Sequence, residues 1–437
     1  MKASLWPKPY IASVPAFCPK TGDEKQVDVA MFLPHEMIAA LLRVNEGMDI
    51  LRLQEEELSN RRDIQEHLEA FKNEFRVDNV LALGLWVDGV PYSHDRTQSV
   101  ECVTLNLPAI SQHLADLRLP LLAFPKFFLQ KGATWDSVFS ILAWSFRCLL
   151  FGKWPLQRHC QSPFLDSDSE RRKMAGRDIG LLACLAELRG DWAMFKDTLN
   201  LPGWQGKGPI CHKCNCTLTE LHQVSMDAPW RSHILSHDEF VARERASGKR
   251  LCNLFSSPGF RNSCIKHDWL HCVDLGVGAD FLGGTFQYLV DSYFEGPSKK
   301  ARCLALFKEI QEYYKETNAE SRLPTLTPGM LTKENKKSNK KSWPKLRAKA
   351  GEARALISFC RQAVHKYCLK DTEFESRLRQ AATSLEACYA LLSASQWTLA
   401  KMQTRARKFA FYFLALTNCE GKKVLKTWVS ECCTAQL

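Results

Sequence analysis

The sequence lacks several things that would settle its class at once. No apolar run approaches the roughly 18 residues that a membrane-spanning helix needs. The nearest, SVFSILAWSFRCLLF from Ser137 to Phe151, is interrupted by Arg147 and reads as a buried amphipathic helix. The start, MKASLWPKPYIASVPAFCPK, has no apolar core of the kind a secretory signal carries. The 18 cysteines follow no regular framework, and no internal repeat is visible. These absences lead us to expect a reducing, intracellular compartment. Most cysteines should then be small buried hydrophobes, and a few could be metal ligands.

What is present is a globular composition with a basic surplus. Apolar residues make up 45% of the 437 residues and aromatics 10%, enough to build a core. The net charge of +11 suits a polyanionic partner, nucleic acid before others.

Along the chain, residues 1–75 read as a helical region after an irregular, proline-containing start. Residues 76–205 change character. NVLALGLWVDGV, SVECVTLNL and LPLLAFPKFFL read as three strands of an antiparallel meander. A helix comes next, with Thr134 as its expected N-cap and Gly152 as its stop. GLLACLAEL, from Gly180 to Leu188, fits a buried strand or a helix equally. A short helix after Asp191 closes the segment. Strand, strand, strand, helix, strand, helix is the order of ribonuclease-H-like nucleases. The expected fold class is therefore mixed α/β: a ribonuclease-H-like core, a zinc-bearing insertion and flanking helical regions. The insertion is the Cys/His-rich stretch 206–265. Then come a helical continuation at 266–328, a basic linker at 329–350 and a C-terminal helical region at 351–437.

Asp88 closes an apolar strand ahead of Gly89 and Pro91. A carboxylate there suits Mg²⁺, which prefers hard oxygen donors, but Asp-Gly is also an ordinary turn signal. Asp191 could share that ion, or could simply cap the helix behind it. Cys211 and Cys214 form a Cys-x-x-Cys, the common half of a structural Zn²⁺ site. Cys216, His222, Cys264, His267, His271 and Cys272 compete for the remaining positions. His267 and His271, at i and i+4, would share one face if the segment were helical. Asp268 would otherwise cap a helix start. Lys333 to Lys349 holds eight Lys or Arg in 17 residues, which suits phosphate contact, nuclear targeting or a solvated linker.

Five stretches, LWVDGVPY (85–92), TWDSVFSILAWSFRCLLFGKWP (134–155), GDWAMFKDTLNLPGW (190–204), GPICHKC (208–214) and HDWLHCVDLGVGADFLGG (267–284), resemble the CACTA (En/Spm-like) class of DDE transposases. With their flanks they span most of 30–420. The resemblance implies cut-and-paste DNA chemistry with Mg²⁺, Asp88 and Asp191 as the first and second catalytic carboxylates, and Zn²⁺ on Cys211 and Cys214. It implies DNA as partner, no membrane, and a nuclear location, and it leaves a homo-oligomer open. It also implies a later His pair and a catalytic Glu in an acidic stretch. VLKTWVSECCTAQL at the end carries neither, so the expectation is a chain that stops short of its third carboxylate and is inactive as a transposase. Glu187, Asp268 and Asp274 are the substitutes to consider. The alternative is a non-enzymatic, zinc-stabilised DNA-binding or interaction domain, or a helical interaction protein in which Asp88 and Asp191 are turn and cap.

Overall fold

The computed structural model describes residues 6–18, 20–44, 49–94, 98–110, 118–130, 132–203, 208–225, 227–334, 341–393 and 397–417. The chain is mixed α/β and divides into two compact units. One holds residues 1–201 and 235–267, the other 202–234 and 268–437. The stretch 206–265, expected as one insertion, is therefore shared between the two.

In the first unit the irregular start is a hairpin, not a prelude to helices. β1 (Tyr10–Phe17) pairs antiparallel with β2 (Glu24–Met31). Alternate residues Tyr10, Ala12, Val14 and Ala16 are buried, the period of a half-buried strand. The helical expectation holds for the next three elements: α1 (Pro34–Val44), α2 (Ile50–Leu58) and α3 (Arg62–Phe75).

The central sheet is built from β3 (Val80–Pro91), β4 (Ser99–Asn106), β5 (Leu119–Pro125) and, beyond α4 (Ala133–Phe151) and α5 (Ser169–Met174), β6 (Leu182–Arg189). Its order is β5-β4-β3-β6. The expected meander is there: β3 pairs antiparallel with β4, and β4 with β5. The ambiguous apolar run is a strand, β6, parallel to β3. A further bridge, Leu188 to Ile265 in parallel sense, extends the sheet past β6.

β3 is apolar over most of its length because both of its faces are covered. Leu81, Leu83, Leu85 and Val87 join the main core with Val138, Phe139 and Leu142 of α4. Val80 and Ala82 face Ile64, Leu68 and Phe71 of α3. β4 pairs only from Gly84 onward, so the start of β3 has no strand on that edge. The buried side chain of Gln54 fills the gap. Its Nε2 donates to Val80 O at 2.8 Å, and its Oε1 accepts from Ala82 N at 2.7 Å, imitating a strand.

Gly152 stops α4 in the left-handed region, at φ 62°, as the sequence suggested. Thr134 does not cap it: its Oγ1 donates to Pro15 O at 2.6 Å, and the helix begins one residue earlier, after Gly132. Behind β1 lies a buried ionic knot. Arg171 forks onto both oxygens of Glu36, at 2.6 and 2.9 Å, and reaches Asp168 at 2.9 Å, where Arg158 also binds. The remaining elements are α6 (Trp192–Leu199), then α7 (Pro229–Ser232) in the second unit and α8 (His237–Ala246) in the first.

The second unit is largely helical. A π-helical turn at Leu270–Val277 runs into α9 (Gly278–Ser292), succeeded by α10 (Lys299–Glu316) and α11 (Pro328–Leu331). The basic stretch expected as a linker contributes a small antiparallel hairpin, β7 (Thr332–Glu334) with β8 (Lys341–Pro344). α12 (Ala350–Tyr367), α13 (Glu373–Leu392) and α14 (Leu399–Thr417) supply the helical C-terminal region that the sequence suggested. Glu431 and the rest of 418–437 lie outside the described residues, as does Trp204. No helix among the described residues is long and apolar enough to cross a membrane.

Candidate functional site

β3 and β6 run parallel, so their carboxyl ends open on the same side, where sheets of this kind bind ligands. The register there has a consequence for the two aspartates. Leu83 pairs with Leu185, an offset of 102, but Gly84 pairs with Glu187, an offset of 103, so Ala186 is an extra, bulged residue. The last registered pair is Trp86 with Arg189. Asp88 and Asp191 each lie two positions further on, and Asp191 keeps an extended backbone at φ −79°, ψ 165°. Carried two positions past that last pair, the same offset would set Asp191 beside Asp88, at the roughly 4.8 Å spacing of neighbouring strands. Without the bulge Asp88 would be level with Gly190, and Asp191 would turn to the other face.

Gly190 is needed between them. A Cβ there would come within 2.8 Å of Val87 O, a backbone atom that cannot swing aside, and within 1.8 Å of Met194 Cε. This close approach lets α6 start directly behind the strand ends. Asp191 is its N-cap: Oδ1 accepts from Met194 N at 2.6 Å. The capping role and a metal-binding role are compatible, because a carboxylate has a second oxygen and further lone pairs.

Asp88 and Asp191 line a single cavity of about 350 Å³, together with Gly89, Glu101, Lys126, Trp135 and Asp197. Glu101 and Asp197 escaped the sequence reading. The signal for Glu101 was there: in SVECVTLN it falls in step with Val103 and Leu105, on the core face, where a carboxylate is unexpected. It is 4% exposed and pairs with Lys126 Nζ at 3.2 Å. In register it faces Gly89, not Asp88, so the pleat sends it to the opposite face of the sheet. Among the described residues no three His, Cys, Asp or Glu side chains form a metal-holding group.

The three substitutes are engaged elsewhere. Glu187 is fully buried between Arg61 and Arg189, each at 2.7 Å. Asp268 accepts from Leu270 N at 2.9 Å and pairs with His271 Nδ1. Asp274, 1% exposed, is held by Arg354 Nε at 3.1 Å and by the Tyr389 hydroxyl. Burial and the neighbouring Asp274 raise that tyrosine's pKa well above the ordinary phenol range.

His267 and His271 do not share a helix face. Helical structure begins only at Trp269, and His267 precedes it, stacked on Trp192 with ring centroids 6.0 Å apart. The capping alternative fits Asp268, which receives Leu270 N–H at the helix start. Cys264, another proposed ligand, lies against His67 in the first unit, Sγ to Nδ1 at 3.7 Å. Burial holds its thiol up at about 11 and pushes His67 down to about 4.

In the second unit Cys211, Cys214 and Cys216 are 0–2% exposed, in a small cluster with Ile210, Leu221 and Trp230. Lys213 N–H donates to Cys211 Sγ at 3.3 Å, and Ile210 N–H to Cys216 O at 2.9 Å, closing a tight knuckle around the Cys-x-x-Cys. A backbone donor aimed at a cysteine sulfur is the kind of support a thiolate ligand receives.

Compared with models of known protein families, the chain matches none, and no curated protein matches it.

Proposed function

We propose that the first unit is a ribonuclease-H-like core and that the chain is a transposon-derived, DDE-transposase-like protein acting on DNA. The single observation that carries this reading is that Asp88 and Asp191 line one cavity, just beyond the bulged β3–β6 pairing. The strand order, with three antiparallel strands, a helix and then a parallel strand, supports it. The bridge at Ile265 adds a fifth position to that sheet.

Asp88 and Asp191 would hold Mg²⁺, for which two hard carboxylates in one cavity are a suitable donor set. Bound there, Mg²⁺ would activate water or a DNA 3′ hydroxyl and stabilise the leaving oxygen of a phosphodiester. Asp191 keeps α6 docked while it presents its second oxygen. Lys126, 62% exposed in its side chain, neutralises Glu101 and lies where a phosphate could approach. Glu101 and Asp197 line the same cavity, but no group of three that could hold a metal forms among the described residues, and the reading is a protein that retains metal and DNA but cleaves poorly or not at all.

A nicking assay tests this. Supercoiled plasmid incubated with the full chain and Mg²⁺ or Mn²⁺ should be retained in gel shifts without conversion to open circles. Rapid, metal-dependent nicking abolished by Asp88→Asn would overturn the inactive part of the reading. Absence of any DNA retention would overturn the whole.

A second reading has its own observation. The buried thiol knuckle supports Zn²⁺ on Cys211 and Cys214, which would make the second unit a zinc-stabilised binding module whatever the first unit does.

A further inference from the structure

The second unit contains a groove far from the thiols in chemical character. It is open, about 1070 Å³, and runs between α14 and the segment from His222 to Pro229, just downstream of the knuckle. The sequence of α14, LAKMQTRARKFAFYFLALT, contains Lys401, Arg405, Arg407 and Lys408 and no acidic residue. Its buried side is given by Met402, Phe409, Ala410 and Phe413, all at most 4% exposed. The opposite side presents Lys401, Thr404, Lys408 and Phe411 at positions i, i+3, i+7 and i+10, all exposed, which is one stripe of the helix.

Phe411 is the unusual member. The residue is 58% exposed and forms part of the groove wall beside Arg407, Lys408 and Tyr412. Arg377 adds a third cation, held in place by a bond to Ala415 O at 2.9 Å and by Glu373. The facing wall is polar, with His222, Gln223 and Ser225, and Asp227 is the acid among the lining residues. A groove with cations along one wall and an uncovered aromatic face between them is complementary to a ligand that alternates negative charges with flat rings.

We propose that this groove binds a single strand of nucleic acid, with phosphates on Lys408, Arg407 and Thr404 and a base stacked on Phe411. Duplex DNA fits less well, because its bases are already stacked on one another and offer no free face to the ring. An acidic peptide would satisfy the cations but leave uncovered the exposed part of Phe411, whose ring already meets Tyr412 at 5.4 Å between centroids. The proposal stands on the second unit alone, so it can fail while the carboxylate cleft keeps its assignment.

The test is fluorescence anisotropy of the full chain with a labelled 20-mer of deoxythymidine, a duplex of equal length and a polyglutamate peptide. The single strand should bind most tightly. Phe411→Ala should weaken it about tenfold, as loss of one stacked base does, and leave the duplex almost unchanged. Lys408→Ala should weaken all three ligands and lower the salt dependence of single-strand binding by about one counterion. Phe411 is exposed, so its replacement should leave the far-ultraviolet dichroism and melting temperature unaltered. Lys173→Ala, on the first unit, serves as a control that should change nothing. Equal binding of Phe411→Ala and the parent, or polyglutamate competing as well as the oligonucleotide, would overturn the proposal.

Discussion

Replacing Gln54 by Leu should loosen the strand that carries Asp88. Gln54 is 3% exposed and supplies both halves of a strand-like pair, to Val80 O and Ala82 N. Leu has similar bulk, so the cavity term is small, but it leaves a backbone carbonyl and an amide buried without partners. Each orphaned group costs roughly 1–3 kcal/mol. The apolar side chain recovers a smaller amount by its own burial, at about 25 cal/mol per Å². The net loss should be about 3 kcal/mol, felt at the start of β3 first. Two compact units need not unfold together, so a global melt is the wrong instrument. Hydrogen exchange read by mass spectrometry on a peptide spanning residues 80–87 is the right one. The Ala82 amide should lose protection by roughly a hundredfold, which is what 3 kcal/mol allows if opening is local. The amide of Trp86, which points to the same edge deeper in the β4 pairing, should change much less. An Ala82 amide as protected as in the parent would show that Gln54 only fills space.

Three further outcomes are expected. Asp191→Asn should leave α6 intact, since Asn caps helices as well as Asp, whereas Asp191→Ala should cost about 1 kcal/mol in chemical denaturation; equal losses for both would mean that the cap contributes nothing. Stability should fall as pH drops below about 6.5, because burial holds His35 down at about 3 and His67 at about 4, so the unfolded chain takes up protons that the folded chain refuses. His35, fully buried with Nδ1 on Ser145 Oγ at 2.7 Å, should account for about 2 kcal/mol between pH 7 and 5, and urea titrations of His35→Asn at the two pH values should show that much less pH dependence. Cys211→Ser with Cys214→Ser should remove any zinc found by elemental analysis and increase proteolysis near residues 210–230; unchanged zinc would move the metal elsewhere.

How far the sequence led depends on the kind of signal. The β3–β5 meander was legible from its apolar runs and the alternation of β4, and the end of α4 from Gly152, but Asp88 and Gly89, read as the close of the strand and its turn, lie inside β3, which stays paired with β4 as far as Pro91. β6 was ambiguous because a strand buried on both faces is apolar throughout, as a buried helix is. The β1–β2 hairpin was hidden by β2, whose sequence EKQVDVAM is mostly solvent-facing. Asp88 and Asp191 were found as residues, but the bulge that shifts the register ahead of them is a property of pairing and leaves no mark in either strand alone. Glu101 could have been found as a carboxylate on the inward side of an alternating strand. The pairing of His267 with His271 failed because i, i+4 spacing means proximity only where the helix has begun.

The measurement that tests the central claim most directly is Mn²⁺ binding read by electron paramagnetic resonance, with Mn²⁺ standing in for Mg²⁺. The full chain should bind the ion at a site that Asp88→Asn and Asp191→Asn each weaken at least tenfold, with dichroism unchanged in both. Binding that is absent in the parent, or that survives both substitutions, would contradict the assignment of these two carboxylates to a shared metal.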